Sequence, residues 1–352
     1  MMSNQPALDP RRKAHRRPGL DLLRAVVFVL VVLYHAGLFG FVLPFNMQRF
    51  GWIGVDLFFV LSGYLIAGQL LSTLARGRSL DISRFYWRRA LRILPAYLVV
   101  VAIYFFLPPS LREFPKMPPL WKFLSFTQNL GLRGGTTFSH AWSLCIEFQF
   151  YLLLPFLILV LARLRRGHAL VVFAVFIWDI CIRGLLAHVN LNAAEPSWAW
   201  WQQWIYYPTY SRLDSLTIGV SLAVVETFRP GWWSTLTKCA PWIWMPGLAA
   251  IVISLILAED GLSVVSSAFG FALVAIGMGT FLVCAVSPNL PLSRVPIPGA
   301  AFFATVAYSV YLTHKMPIHW IQQISAAHSV TSFPAYLLML VAILIIGSAL
   351  FF

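Results

Sequence analysis

Long apolar runs separated by short polar segments extend over almost the whole chain. Ten such runs lie at about 20–40, 52–74, 94–108, 143–162, 169–187, 213–227, 241–257, 262–286, 299–321 and 333–352. An α-helix needs about 20 apolar residues to cross a bilayer, and most of the runs approach this length, although the third is short. The pattern predicts an all-α, polytopic membrane helical bundle of about ten transmembrane helices.

The composition excludes the other broad classes of protein. Of the 352 residues, 59% are hydrophobic and only 11% are charged, and the mean hydropathy is +0.77. A soluble domain carries about 25% charged residues because its surface faces water, and disordered chains are poor in apolar residues. Both classes are therefore excluded.

Basic residues are concentrated on one side of the predicted bundle. The chain has 26 Lys and Arg against 12 Asp and Glu, a net charge of +14, which in a soluble protein would suggest nucleic acid as a partner. With the N-terminus in the cytosol, 17 basic residues fall in inside segments and 7 in outside loops. This bias follows the positive-inside rule. We expect a cytosolic basic arm at 1–18, a transmembrane domain at 19–352 in the lipid bilayer, and no nucleic-acid partner.

The four cysteines form no recognisable motif. Cys145, Cys181, Cys239 and Cys284 each lie in or beside an apolar run without a close partner. Their spacing fits neither a zinc site nor a disulfide framework. We expect four small core residues and no metal site.

The first predicted span carries three ionisable residues, which are costly inside a membrane and normally face a partner or a cavity. Asp21 and Arg24 are three residues apart and meet on one helix face. His35 lies on the same face as Arg24, about 16 Å further along the helix axis. A structural ion pair and a neutral, hydrogen-bonded histidine are the alternatives to functional roles.

Polar side chains of four further spans are predicted to gather with His35 in the outer half of the membrane. A carboxylate beside a histidine orients the imidazole for base catalysis, so Glu147 in the fourth span is the expected partner of His35. The second, sixth and ninth spans contribute Asp56, Ser62, Tyr64, Arg212, Asp214 and His314.

Two other segments have an unusual composition. The predicted inside loop at 83–95 carries Arg84, Arg88, Arg89 and Arg92 at helical spacing, which fits anionic lipid headgroups or a phosphate clamp. The outside loop at 188–212 contains four tryptophans and three tyrosines. These aromatic residues fit a belt at the membrane interface or a platform on which sugar rings stack.

Six segments between Gly19 and His314 carry a family resemblance: GLDLLRAVVFVLVVLYH, GWIGVDLFFVLSGYLI, FYWRRALRILPAY, HAWSLCIEFQFYLLLP, RLDSLTIG and YSVYLTH. In this order they resemble the acyltransferase 3 family of integral membrane acyltransferases. Members transfer acyl groups, usually acetyl, to cell-surface and exported carbohydrates such as lipopolysaccharide, peptidoglycan and exopolysaccharides. The resemblance implies a ten-span O-acyltransferase of the bacterial plasma membrane, with acyl-CoA, usually acetyl-CoA, as donor and a carbohydrate as acceptor.

The resemblance also implies roles for individual residues. His35 matches the essential first-helix histidine of the family, and Glu147 matches the acid of its W-S-L-x-x-E segment. Arg24 matches the arginine that precedes this histidine, and Arg89 with Arg92 matches the R-x-x-R pair linked to acyl-CoA binding; their neighbour Arg88 is assigned to the same group. The remaining candidates, with supporting or substrate-binding roles, are Asp21, Asp56, Ser62, Tyr64, Arg212, Asp214 and His314.

The chain departs from the family pattern at two places. Members usually have a second acid directly after the glutamate, where this chain has Phe148, and usually continue past the last span with a short basic tail. We expect a shortened or divergent C-terminus. Without a C-terminal esterase-like domain, a second transfer step would need another protein.

Two mechanisms and one rival function are open at this stage. His35, oriented by Glu147 or Asp56, can deprotonate an acceptor hydroxyl that then attacks the acyl carbonyl directly, or the acyl group can pass first to His35 or to a tyrosine. A transporter or flippase of a lipid-linked sugar would use the same polar cavity without chemistry. That rival gives no reason for an arginine cluster on one cytosolic segment.

Overall fold

The computed structural model describes residues 17–42, 44–163, 168–328 and 332–351, so the predicted basic arm falls almost entirely outside the described residues. Within these ranges every regular element is helical and none is a β-strand. The predicted all-α class is confirmed.

Fourteen α-helices make up the described part of the chain. They are α1 (Pro18–Leu38), α2 (Ile53–Ala75), α3 (Ile82–Phe106), α4 (Leu120–Leu124), α5 (Trp142–Arg163), α6 (His168–Leu191), α7 (Trp198–Trp201), α8 (Asp214–Phe228), α9 (Pro230–Lys238), α10 (Ala240–Leu257), α11 (Val264–Val286), α12 (Ala300–Thr313), α13 (Lys315–His328) and α14 (Ser332–Phe351). Short 3₁₀ helices lie at Pro44–Phe50, Pro109–Leu111, Ser139–Ala141, Thr209–Ser211, Ala258–Asp260 and Pro291–Ser293, and Gln202–Tyr206 forms a π-helical turn.

Eight of these described helices are long and apolar enough to cross a membrane, namely α1, α2, α3, α5, α6, α10, α11 and α14. The protein is therefore a multi-pass integral membrane protein. The other two of the ten predicted spans fall on α8, with 15 residues, and on α12, with 14 residues. A break at His314 separates α12 from α13, because Pro317 has no amide N–H to donate to the carbonyl of Thr313.

The predicted inside loop at 83–95 is wrong, because this segment belongs to the first half of α3. Asp81 caps this helix by accepting a hydrogen bond from the Arg84 amide at 2.8 Å, and the helix continues through Pro95 to Phe106. The arginines and the proline hide this continuity in the sequence, since both interrupt the apolar run. The arginine cluster thus lies on the first turns of a helix that enters the membrane.

Glycines set the tight crossing of α2 and α8 near the centre of the bundle. A β-carbon on Gly63 would lie 2.3 Å from the backbone oxygen of Leu216, and one on Gly219 would lie 2.2 Å from that of Val60. Only residues without a side chain fit at such a crossing. Gly63 and Gly219 therefore have packing roles at this crossing.

All four cysteines are free thiols, and they differ in burial. Cys145 and Cys284 are buried, as predicted, whereas Cys181 and Cys239 are exposed. The prediction of core positions is wrong for the second pair. Apolar sequence does not distinguish the core from the lipid-facing surface of a membrane bundle, since both are apolar.

Candidate active site

Two cavities lie at opposite ends of the described helices. One of about 860 Å³ lies at the end where α1 stops and α2 and α5 begin. His35, His140 and Lys315 line it, and it is called the histidine cavity below. The other, of about 790 Å³, lies at the end where α1 and α3 begin, with Arg24, Arg89 and Arg92 in its wall. It is called the arginine cavity.

Three imidazoles from separate parts of the chain meet at the inner end of the histidine cavity. The ring centroid of His314 lies 4.8 Å from that of His35 and 4.9 Å from that of His140, and the His35 and His140 centroids are 5.9 Å apart. Each ring comes from a helix end: the last turn of α1, the 3₁₀ turn before α5, and the break after α12. Among the described residues, no group of three His, Cys, Asp or Glu side chains is arranged to hold a metal ion.

The hydrogen-bond partners of His35 and His314 determine which ring nitrogen carries the proton when each imidazole is neutral. His314 Nδ1 lies 2.8 Å from the carbonyl oxygen of Tyr311, and because a carbonyl only accepts, this nitrogen carries the proton. His35 Nδ1 lies 2.9 Å from the carbonyl oxygen of Val31 and 3.1 Å from His314 Nε2, so it is a donor to both. The lone pair of His35 is therefore on Nε2, where a general base needs it.

The predicted pairing of His35 with Glu147 is not formed. The Glu147 carboxylate accepts hydrogen bonds from Ser62 Oγ, at 2.5 Å, and from the Tyr151 hydroxyl, and it lines the arginine cavity together with Ser62. Its charge interacts with Arg92 and Arg89. Position along a helix predicts the depth of a residue in the membrane but not the helix towards which its side chain points. The similar depth of Glu147 and His35 therefore does not bring the two side chains together.

The arginine cavity contains three of the four arginines predicted to form one group. Arg24, Arg89 and Arg92 line it, whereas Arg88 is exposed and lies outside the lining. Arg24 Nη1 lies 3.3 Å from Asp21 Oδ1, as the spacing predicts. Arg89 Nη2 donates to Gln69 Oε1 at 2.6 Å. Arg88 precedes Arg92 by about one helical turn on α3, and its role in donor binding stays a prediction.

The two cavities approach each other at a thin wall. Val31 and Tyr311 line both cavities, while His35 lines the histidine cavity and its partner His314 lines the arginine cavity. The Tyr311 hydroxyl donates to the His140 carbonyl at 2.6 Å and contacts Ser143 Oγ at 2.5 Å. The imidazole pair thus bridges the space between the cavities.

Comparison with known proteins now bears on this geometry. The model of the acyltransferase 3 family, described as an acyltransferase domain, matches residues 17–352. The chain belongs to the acyltransferase 3 family.

Curated relatives include two bacterial enzymes. Peptidoglycan O-acetyltransferase OatA of Listeria monocytogenes is 32% identical over 228 residues, which cover 60% of this chain and 34% of that protein. O-acetyltransferase OatA of Staphylococcus aureus is 32% identical over 223 residues, 59% of this chain and 34% of its own length. The matched region is thus about a third of each relative. No solved structure matches the chain.

Family membership identifies the chain as an acyltransferase, which decides against a transporter without chemistry, and the bacterial relatives place it in the plasma membrane. In this acyltransferase, part of the aromatic segment at 188–212 faces the histidine cavity. Trp198, Trp201, Tyr206 and Tyr207 line it, with Gln202 among them. Burial raises the pKa of the Tyr207 hydroxyl, so this group stays protonated and able to donate a hydrogen bond.

Asp56, Arg212 and Asp214, predicted as supporting or substrate-binding residues, are buried and line neither cavity. Arg212 Nη2 lies 3.0 Å from both Asp56 oxygens, and Arg183 Nη1 lies 3.0 Å from Asp214 Oδ2. The Arg212 guanidinium stands 3.7 Å from the ring centroid of Phe271, a wall residue of the histidine cavity. Of the two roles predicted for these three residues, the geometry fits the supporting one, because they support the wall from behind.

Tyr64 is also remote from the imidazoles. Its hydroxyl donates to Glu226 at 2.5 Å and accepts from Arg17 at 2.8 Å, which joins the middle of α2 and the last turn of α8 to the start of α1. Arg17 also forms an ion pair with Glu226 at 3.0 Å. The tyrosine therefore ties three helices together at the arginine end of the bundle, outside both cavities.

Three residues of the site have no role in the sequence-based prediction: His140, Tyr311 and Lys315. His140 lies just before the predicted fourth span and Tyr311 within the ninth, and their backbone hydrogen bonds leave no signal in the sequence. Lys315 was counted with the outside loops although it lies inside the predicted run at 299–321. A lysine directly after a histidine within an apolar run was the signal that could have identified it.

Proposed function

We propose that this acyltransferase moves an acetyl group from cytosolic acetyl-CoA to a hydroxyl of a cell-surface or exported carbohydrate, in the way that the names of its relatives describe for peptidoglycan. The observation that carries the proposal is the wall between the two cavities, where His35 faces one cavity and His314 the other. A donor and an acceptor that enter from opposite ends would meet at this pair.

The arginine cavity suits the donor. Its three guanidinium groups offer forked donors that match phosphate oxygens, and the positive-inside bias supports a cytosolic location for this end of the bundle. Beyond the arginines, apolar side chains such as Leu61 and Leu65 line the cavity as far as His314. A phosphate-bearing head with a long, weakly polar arm and a terminal thioester fits this order of charged, apolar and imidazole surfaces.

The histidine cavity suits a sugar acceptor. Aromatic rings such as those of Trp198 and Trp201 stack on the apolar faces of sugars, and the Gln202 amide and Tyr207 hydroxyl can bond sugar hydroxyls. His35 Nε2 then takes the proton of the acceptor hydroxyl as its oxygen attacks the thioester carbonyl. The C–S bond breaks, and the proton passes from His35 to the departing thiolate, so that CoA leaves as a thiol.

The test uses the full chain in liposomes, with acetyl-CoA labelled in the acetyl group and a soluble oligosaccharide acceptor. We expect His35→Ala to lower acetyl transfer by about 10²–10⁴-fold, the usual contribution of a general base, with the protein still folded. His319→Ala is the matched control, because the ring of His319 packs on Phe39 and lines neither cavity. Acetyl transfer by the His35 variant at the wild-type rate would refute the base assignment. If the wild type labels the acceptor no faster than the background reaction, acyl transfer itself is refuted.

A further inference from the structure

Lys315, the first residue of α13, is a buried cation in the histidine cavity. Only 2% of its surface is exposed, and it lines this cavity one residue after His314. Its Nζ donates to Ser139 Oγ at 3.2 Å and lies 5.2 Å from the ring centroid of Phe114. Since an ammonium group has three N–H donors, two are free to bond whatever occupies the cavity.

The ammonium group forms no direct ion pair among the described residues. The buried cations Arg183 and Arg212 each pair with an aspartate at 3.0 Å, whereas no described carboxylate pairs with Lys315. The buried carboxylate of Glu113 attracts the ammonium group without pairing with it directly; its Oε1 accepts from the Tyr104 hydroxyl, and its Oε2 makes no hydrogen bond to a described residue. A buried charge without a direct partner is costly, and an anion that arrives with a ligand would lower this cost.

The remaining charges of the histidine cavity agree with an anionic ligand at this place. Arg49 is a second cation in the lining, and Glu259 is the one acid among the described lining residues. Glu259 stands near Gly261, against which Trp198 packs, whereas Lys315 is held beside the imidazoles through Ser139, the neighbour of His140. The stacking surface and the cationic group therefore occupy different parts of one cavity.

We propose that the acceptor is an acidic carbohydrate and that Lys315 binds its carboxylate. The inference rests on the proposed function, because the acceptor must enter the histidine cavity. A volume of about 860 Å³ holds more than one sugar ring, so a ring can stack on the aromatic side while the carboxylate of the same or the next sugar unit reaches Lys315. Hexuronic acids and lactyl-bearing sugars have this chemistry.

The experiment compares two acceptors that differ in one charge. The full chain in liposomes receives labelled acetyl-CoA with an oligomer of a hexuronic acid or with its methyl ester, which keeps every hydroxyl but is neutral. We expect the wild type to have a kcat/KM at least about tenfold higher for the acid, the scale of a hydrogen-bonded ion pair in a buried site. In Lys315→Met and Lys315→Gln the ratio of kcat/KM for the acid to that for the ester should fall towards one, and Lys315→Arg should keep most of the preference for the acid.

Lys116→Met is the control, because this lysine is exposed and lines neither cavity; it should keep the full preference. If kcat/KM falls equally for the acid and the ester in both neutral variants, the inference is overturned, and Lys315 acts in the transfer reaction rather than in binding the carboxylate. A wild type without preference would overturn it as well. If the wild type transfers acetyl to neither acceptor above background, the proposed function fails and this inference fails with it.

Discussion

Two groups of ionisable residues lie within the bundle, and they differ in what their charges meet. Asp56 with Arg212 and Arg183 with Asp214 form ion pairs at 3.0 Å, with side chains 0–1% exposed. His35, His314 and Lys315, by contrast, line the cavities. Both groups are costly in a membrane and look alike in the sequence. What separates them is the partner: each charge of the first group faces an opposite charge within the protein, while the second group leaves donors and a lone pair facing a cavity.

The largest effect on stability is expected when one of the two buried ion pairs is broken. Arg212→Met leaves the Asp56 carboxylate buried and uncompensated, and we expect a loss of stability of about 3–5 kcal/mol. The measurement is thermal unfolding in detergent together with the yield of folded protein. Because Arg212 lines neither cavity, the surviving folded fraction should keep the KM of the wild type for both substrates.

Two variants serve as comparisons for that prediction. Arg133→Met removes an exposed arginine and should leave the unfolding temperature unchanged. The double variant Asp56→Leu with Arg212→Met removes both charges, and it should recover much of the lost stability. A stable Arg212→Met protein with weakened acceptor binding would move this arginine from the structural group to the site.

The second prediction concerns the cavity-lining group and the tautomer of His35, the proposed general base. His314→Leu removes the acceptor for the His35 Nδ1–H, which lies 3.1 Å away, so the ring loses one of the two bonds that fix its orientation. We expect kcat to fall by roughly 100-fold with KM little changed. His314→Gln, whose side-chain oxygen can accept the same hydrogen bond, should recover part of kcat. Equal losses in the two variants would show a packing role rather than a positioning one.

The contrast also explains how much of the molecule the sequence predicts. Apolar runs predict the helices, because each run must span the membrane whatever its neighbours are. Helical spacing predicts the Asp21–Arg24 pair and places Arg24 and His35 along one face of α1, where Val31 between them lines both cavities. These are properties of single helices, which the order of residues determines.

Contacts between helices are beyond such reasoning. Glu147 and His35 are both near helix ends, yet the carboxylate bonds Ser62 on α2 and the imidazole bonds His314 after α12. Which pairs form depends on the rotation of each helix and on its neighbours, and neither can be read from one helix alone. The missed Lys315 has the same origin, since its lack of a direct ion pair is visible only once the start of α13 lies against the turn before α5.

The third prediction tests the arginine cavity with a matched residue on the same helix. Arg89→Gln combined with Arg92→Gln removes two cavity cations, and we expect the KM for acetyl-CoA to rise by about 10–100-fold, the scale of charge-assisted bonds to phosphate. Arg88→Gln is the control, because its side chain is exposed outside the cavity. The measurement is initial rate against acetyl-CoA concentration. Equal effects of Arg88→Gln and the double variant would assign the cluster to lipid contacts.

The smallest effect is expected in the aromatic segment at 188–212. Exposure alone does not distinguish a tryptophan of the site from one at the membrane interface there. Trp198 is 52% exposed and lines the histidine cavity, whereas Trp204 is 41% exposed and does not. A stacked ring contributes about 0.5–1.5 kcal/mol, so Trp198→Ala should raise the KM for the acceptor by roughly 2–10-fold and leave that for acetyl-CoA unchanged. Trp204→Ala should change neither constant. If both variants behave alike in acceptor titrations, the segment is an aromatic belt at the interface, and sugar recognition must come from the polar residues of the cavity.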